Sequence, residues 1–239
     1  MNQLTFLELM GFGPQGWGPS MLLGAVMTLA VASCGFFLGA VIGTFGAWAK
    51  IAGGRVARSI ADAYTTVLRG IPDLLVIYLF YFGGSSVMTA LGRLFGATGF
   101  VGFPGFAAGA LAIAVVCGAH HTEVLRGAFR AVSRGELEAA RAIGMGTMMR
   151  FRRIVAPLVL RYALPGLGNV WQLVLKESAL VSVTGVVELV REAQIGAGST
   201  RQPFDFFIAA ATLYLCITTL SGWGLRRAER YFAKGMRRA

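Results

Sequence analysis

The chain has 239 residues, of which 56% are hydrophobic and only 14% charged, and its formal net charge is +11. A soluble domain carries roughly 25% charged residues, so the composition excludes an ordinary soluble enzyme and points into a membrane. The basic excess would suit a nucleic-acid binder, but the basic residues sit in loops between apolar runs, which makes them a topology signal.

The opening residues do not read as a cleavable signal, because the first charge is Glu8 and residues 11–19 read as a lead-in at the membrane interface. Residues 21–49, 74–92, 94–119 and 206–225 then carry no charge, and residues 162–185 carry only Lys176 and Glu177. About 20 apolar residues cross a bilayer. Five spans are expected, over about 20–48, 58–83 (joined across Pro72), 105–126, 162–184 and 206–226. In the first, Gly35, Gly39, Gly43 and Gly46 recur every three or four residues and read as a packing stripe, since small residues let membrane helices approach closely.

Seventeen of the 22 basic residues fall between spans one and two, between three and four, or after the fifth; the opposite loops hold only Arg93, Arg191 and Arg201. Basic loops stay cytoplasmic. The expected topology therefore has the N-terminus outside and the C-terminus inside. No internal repeat is evident, and five spans do not divide into the inverted halves of many secondary transporters.

The loop between spans three and four, about 127–160, is built as a docking knob. Ser133 and Glu136 form a capping box, Glu136 and Glu138 lie in the first turn and Arg141 near the end, and Gly144 is a C-terminal stop. A second helical piece, 147–155, is expected to run to Pro157. Leu137, Ala140 and Ile143 share one apolar stripe, which suits a groove on a partner.

The same loop resembles, position for position, the EAA loop of bacterial ABC-importer permeases: Glu138-Ala139-Ala140, then Gly144, Ile154 and Pro157 at the family spacing, with Ala156 in place of the usual Leu. Arg69-Gly70-Ile71-Pro72 is similar to the Arg-Gly-Thr-Pro span of the polar amino acid permeases. Leu175-Lys176-Glu177-Ser178 and the segment around Gly168 and Asn169 fit the same family, so the resemblance covers residues 20–232. Several stretches look most like the branch that moves histidine, lysine, arginine, ornithine and arginine-derived opines. The resemblance implies an all-α, type I permease fold in one domain, in the inner membrane. It implies ABC ATPase subunits, a second related permease and a periplasmic solute-binding protein as partners. In that family Glu138, Ala139, Ala140, Gly144, Ile154 and Pro157 belong to the element that docks on the ATPase.

The chain has no G-x-x-x-x-G-K-[ST] phosphate loop, so ATP hydrolysis is expected in a partner and no catalytic residue, cofactor or metal is expected here. Polar residues inside a membrane are functional candidates by default. Asn169, Gln172 and Lys176 lie at i, i+3 and i+7 on one face of span four; Glu177 is offset by about 100 degrees. Arg69 and Asp73, four apart, could pair across Pro72. Glu123, one turn below His120, is a further counter-charge for a cationic cargo. Adjacent His120 and His121 diverge on a helix and make a poor metal pair, and Cys34, Cys117 and Cys216 read as small buried hydrophobes. The rival is an ion-coupled secondary transporter or channel, which would leave the docking loop unexplained. A small-molecule substrate and membrane lipid are the expected non-protein partners, and nucleic acid is not.

Overall fold

Helix α2 (Gly18–Ala52) follows from an uncharged run of helix-compatible residues, opened by a proline in its first turn and closed by Gly53, whose extended backbone leaves the helix. Its 35 residues give a rise of about 52 Å, well beyond the bilayer core, so it is tilted or extends past it. The structure, a computed structural model, describes residues 5–14 and 16–232. A short turn α1 (Phe6–Leu9) precedes α2, and α3 (Arg55–Leu68), α4 (Asp73–Leu94), α5 (Gly105–Ala131), α6 (Arg134–Ala142), α7 (Thr147–Thr184), α8 (Leu189–Thr200) and α9 (Pro203–Phe232) follow. No strand occurs among the described residues. Helices α2, α4, α5, α7 and α9 are each long and apolar enough to cross a membrane.

Two boundaries differ from those read in the sequence. The second span was expected at about 58–83, but the chain breaks at residues 69–72, where Pro72 takes an extended backbone and starts a new helix. The membrane-length helix is therefore Asp73–Leu94. Helix α3 is separate and amphipathic, with Val56, Ile60 and Val67 exposed and Ala61 and Thr65 buried. The second difference lies at Pro157. Instead of ending a short helix, it sits in the first turn after a π turn over Phe151–Val155, within an α7 that is 38 residues long in all. A proline lacks the N–H for an ordinary helical bond, and a π turn just before it absorbs the mismatch. Spans one, three and five fall where expected, with longer ends.

Helix α5 is the central post and α2 lies along it. The expected glycine stripe is the reason. A Cβ added at Gly35 would lie 2.6 Å from Ile113, at Gly39 2.3 Å from the Cys117 sulfur, at Gly43 2.3 Å from His121 and at Gly46 2.3 Å from Thr122. Lipid tails are as apolar as leucine, so helices associate in a bilayer through this kind of close van der Waals fit. One buried cluster joins Val31, Val76, Ile113, Cys117, Val174 and Leu175 across α2, α4, α5 and α7. A second, around Leu9, Met21, Leu189 and Phe206, ties α1, α2, α8 and α9. Phe206 fills the notch left by Gly196, where a Cβ would meet its ring at 2.0 Å, and stacks edge-on with Trp17 at 5.4 Å. Large side chains such as Phe37, Phe45, Leu79, Leu215 and Trp223 remain on the outside, facing lipid or partner chains.

Overpacking a filled interface costs about 1–3 kcal/mol or more. Gly43→Val is therefore expected to lower the heat-inactivation temperature of the detergent-purified protein by several degrees. Gly224→Val, at a position with nothing within 4 Å, should leave it near wild type. Equal behaviour of the two variants would show that α2 and α5 are not held by this contact.

Candidate translocation site and coupling loop

The break at residues 69–72 places Asp73 at the start of α4, which packs against α5 and the last turns of α7. Its carboxyl lies within electrostatic reach of that of Glu177 on α7. Glu177 is only 6% exposed, and its Oε2 has no hydrogen-bond partner. His120 on α5 lies within electrostatic reach of both Asp73 and Arg69. The anticipated Arg69–Asp73 ion pair is not formed among the described residues; Arg69 is exposed and lines a cavity below. Asp73, His120 and the buried Glu177 thus form one polar group, with the exposed Arg69 at its edge. Two neighbouring carboxyls in low dielectric repel unless a proton or a cation lies between them.

His121 points away from His120, as adjacent helical residues must. It is fully buried between α2 and α5, its ring edge-on to Phe36 at 4.7 Å and its Nδ1 3.3 Å from the Cys117 sulfur, with Nε2 unpartnered. Among the described residues, no group of three or more side chains could hold a metal.

Asn169 and Gln172 line a groove of about 410 Å³ between α7 and α9, with Gly168, Thr218, Gly222, Arg226 and Glu229 among its walls. Gln172 Nε2 donates to the Thr218 carbonyl at 3.3 Å. The groove runs from mid-helix toward the arginine-rich end of α9, and a polar wall of this kind does not face lipid tails. Lys176, expected on the same face, is exposed and lies outside the groove.

Glu123 belongs to a different assembly. Lys50, 8% exposed at the end of α2, donates to Glu123 Oε1 at 2.6 Å and to Thr65 Oγ1 at 2.6 Å, and pairs with Asp62 at 2.8 Å. Arg126 closes on the other Glu123 oxygen, with Nε at 3.0 Å. One lysine so clamps α2, α3 and α5 just before the loop. The cavity above it, about 450 Å³, also has Thr66, Arg69 and Gly70 in its walls.

Sequence reasoning missed Glu188. It is fully buried between the fourth and fifth membrane helices, where it caps α8 by accepting from the Val190 and Arg191 amides at 2.9 and 2.8 Å. Thr28 Oγ1 and the Tyr214 hydroxyl also donate to it, at 3.3 and 3.2 Å, joining α2, α8 and α9. Burial pushes this carboxyl above the usual carboxylate range, and the four hydrogen bonds pull the other way. Its signal in the sequence was an acid immediately before an amphipathic helix.

The loop is built as its residues dictate. Ser133 Oγ accepts from the Glu136 amide and Glu136 returns a bond to the Ser133 amide, both at 3.3 Å. Gly144 has φ +80°, and the Gly144→Arg141 and Met145→Ala140 bonds, 2.9 and 3.1 Å, complete a Schellman stop for α6. Ala140 is buried and Leu137 half-buried, whereas Glu138, Ala139, Ile143 and Gly144 are exposed, as are Met148 and Met149 beyond them. Ile154 is half-buried and Pro157 exposed on α7.

Compared with known proteins, residues 35–237 match the family described as binding-protein-dependent transport system inner membrane component. The chain belongs to that family: it is a multi-pass membrane protein, the permease subunit of an ABC importer, and ATP hydrolysis resides in a separate subunit. It is 58% identical over 235 residues to the octopine transport system permease protein OccQ of Rhizobium radiobacter, across 98% of this chain and 99% of that one. The nopaline transport system permease protein NocQ of Agrobacterium fabrum is 45% identical across 97% and 98% of the two chains. The histidine/lysine/arginine/ornithine permease protein HisQ of Escherichia coli is 38% identical across 94% and 98%. A crystal structure of an amino acid ABC transporter with histidines superimposes with a TM-score of 0.80 at 31% identity, across 97% of this chain and all of that one. An inward-facing methionine transporter, MetNI, shares the fold at a TM-score of 0.69 and 19% identity, across 90% and 97%.

Breaking a buried ion pair by removing one partner costs about 3–5 kcal/mol, because the other charge stays buried, whereas an exposed pair is worth about 0–1 kcal/mol. Lys50→Met should therefore destabilise the protein strongly in a detergent heat-inactivation series. Asp62→Asn, with a side chain 59% exposed, should change little, and Lys50→Met/Glu123→Gln should recover part of the loss. Equal stability of Lys50→Met and Asp62→Asn would show that the clamp is not the joint described.

Proposed function

We propose that the cargo of this permease is a cationic amino acid or an arginine-derived opine, and that Asp73 and Glu177 receive its positive charge. The carrying observation is the buried Glu177 carboxyl, with an unpartnered oxygen, within electrostatic reach of the half-buried Asp73. An ammonium or guanidinium group relieves that repulsion, and an unpaired cation in a dry site costs several kcal/mol. Arg69, which makes no ion pair among the described residues, is the donor for the carboxylate of the cargo. Asn169 and Gln172 line the polar exit groove toward the arginine-rich side, and Lys176, exposed outside it, is a weaker pathway residue. Glu123 serves the clamp below and does not touch the cargo. The opine and basic amino acid names of the relatives support the same class of cargo.

The family and the placement of the basic residues support the following reading of the rest of the assembly. The chain forms a single permease domain in the bacterial inner membrane, N-terminus periplasmic and C-terminus cytoplasmic. It pairs with a second, related permease, and a periplasmic binding protein delivers the cargo. Two ATPase subunits dock on α6 and the turn at Gly144, with Glu138, Ala139, Ala140, Ile154 and Pro157 forming or backing the contact. Closure of the ATPases then moves the loop and the helices as rigid bodies that alternate access to the site.

In proteoliposomes holding the assembled transporter, Glu177→Gln and Asp73→Asn should each lower uptake of arginine or octopine about tenfold or more. Asn169→Leu and Gln172→Ala should lower it less, and the binding protein should hold its ligand unchanged. Uptake indifferent to both acid substitutions would contradict the cargo reading. At the loop, Gly144→Asp retains a residue type that tolerates positive φ, so the turn should survive while a charged side chain meets the partner. The complex is expected to lose transport-linked ATP hydrolysis with the permease still in the membrane. Wild-type coupling in that variant would make the loop a mere connector.

A further inference from the structure

At the ends that carry the arginine-rich loops, α2, α5 and α7 enclose an apolar groove of about 260 Å³, with Ala47, Trp48, Ile51, Leu125, Phe129 and Phe151 among its walls. Its wall residues Thr44 and Trp48 are exposed, so it opens to the outside of the bundle. Directly along α7 from Phe151, Met148, Met149, Arg152 and Arg153 line a second concavity of about 580 Å³. Phe151, the first residue of the π turn, lines one wall of the groove while remaining half exposed, and the next two residues, Arg152 and Arg153, are exposed as well. Arg130 follows Phe129 on α5 in the same way and is also exposed.

None of Arg130, Arg152 and Arg153 forms an ion pair among the described residues, and no acidic residue lines either concavity. An apolar slot reached from the bilayer and bordered by unpaired guanidinium groups fits one kind of occupant. We propose that this is a binding site for an anionic phospholipid, with an acyl chain in the groove and the phosphate on Arg152 and Arg153. The guanidinium fork matches phosphate oxygens in pairs, and basic pockets between helices on the cytoplasmic side suit anionic headgroups. A zwitterionic lipid fills the groove equally well but brings its own cation to the arginines. The occupant would brace α7 where it leaves the coupling loop. The inference rests on the proposed orientation of the arginine-rich loops and not on the cargo.

The test is native mass spectrometry of the assembled, delipidated transporter titrated with phosphatidylglycerol or with phosphatidylcholine of the same chains. Phosphatidylglycerol should be retained at least tenfold more tightly. Arg152→Gln/Arg153→Gln should reduce it to the phosphatidylcholine level, while Arg152→Lys/Arg153→Lys, which keeps charge and loses the fork, should fall between. Thr44→Trp, which fills the groove from its exposed wall, should weaken both lipids. Equal retention of the two lipids, or phosphatidylglycerol preference that survives the glutamine double variant, would overturn the proposal. So would cross-linking of Arg152→Cys to an ATPase subunit, since a partner chain then fills the basic concavity. Transport of the cargo is not measured in this experiment, so its failure would leave the cargo reading standing.

Discussion

Between Gly35 and Gly46 the first membrane helix lies so close to the third that a single added carbon would strike it at four successive positions. Much else in the bundle depends on that approach. It buries His121 and Cys117 between the two helices, and it lets Phe36 reach across to Trp171 on the long fourth helix at 5.3 Å. It also brings the Lys50 ammonium against Glu123, a residue 73 positions further along the chain. A lysine on a flexible stem can be buried only where acceptors wait for it. The close packing above supplies the fixed geometry, and the clamp below spends it on joining α3 to the same pair.

That joint separates two regions of charge with different tasks. Below it, toward the loop, Lys50, Asp62, Glu123 and Arg126 neutralise one another and leave no free partner for a cargo. Above it, Asp73 and Glu177 lie within electrostatic reach of one another, and neither they nor Arg69 form an ion pair among the described residues. Charge that is satisfied holds helices, while charge that is left over is available to a passing ion. An ATP-driven permease needs both, because the site must remain intact while the bodies around it rock.

The local features could be read from the sequence because neighbouring residues determine them. The capping box at Ser133, the stop at Gly144 and the glycine stripe each depend on residues within a turn or two, and each forms as its chemistry requires. Pairings across the bundle were harder. The spacing of Arg69 and Asp73 suggests a helical i, i+4 pair, but the break at Gly70 to Pro72 removes the helix on which that spacing depends. Glu123 looked available for cargo because nothing local shows Lys50 arriving from α2. Glu188 was hidden in an apolar stretch, and only the fold shows Thr28 and Tyr214 converging on it. Lys176 has the right periodicity for the groove, yet the groove lining stops at Gln172 and Thr218.

On the proposed reading, Asp73 and Glu177 in the bundle, rather than the polar groove beside them, receive a cationic cargo. The most direct test is a cryo-electron microscopy structure of the assembled transporter with arginine or octopine trapped inside. The account predicts guanidinium density within hydrogen-bond distance of both Asp73 and Glu177, with the carboxylate end toward Arg69. Cargo density confined to the Asn169 and Gln172 groove, with the two carboxyls left empty, would contradict it.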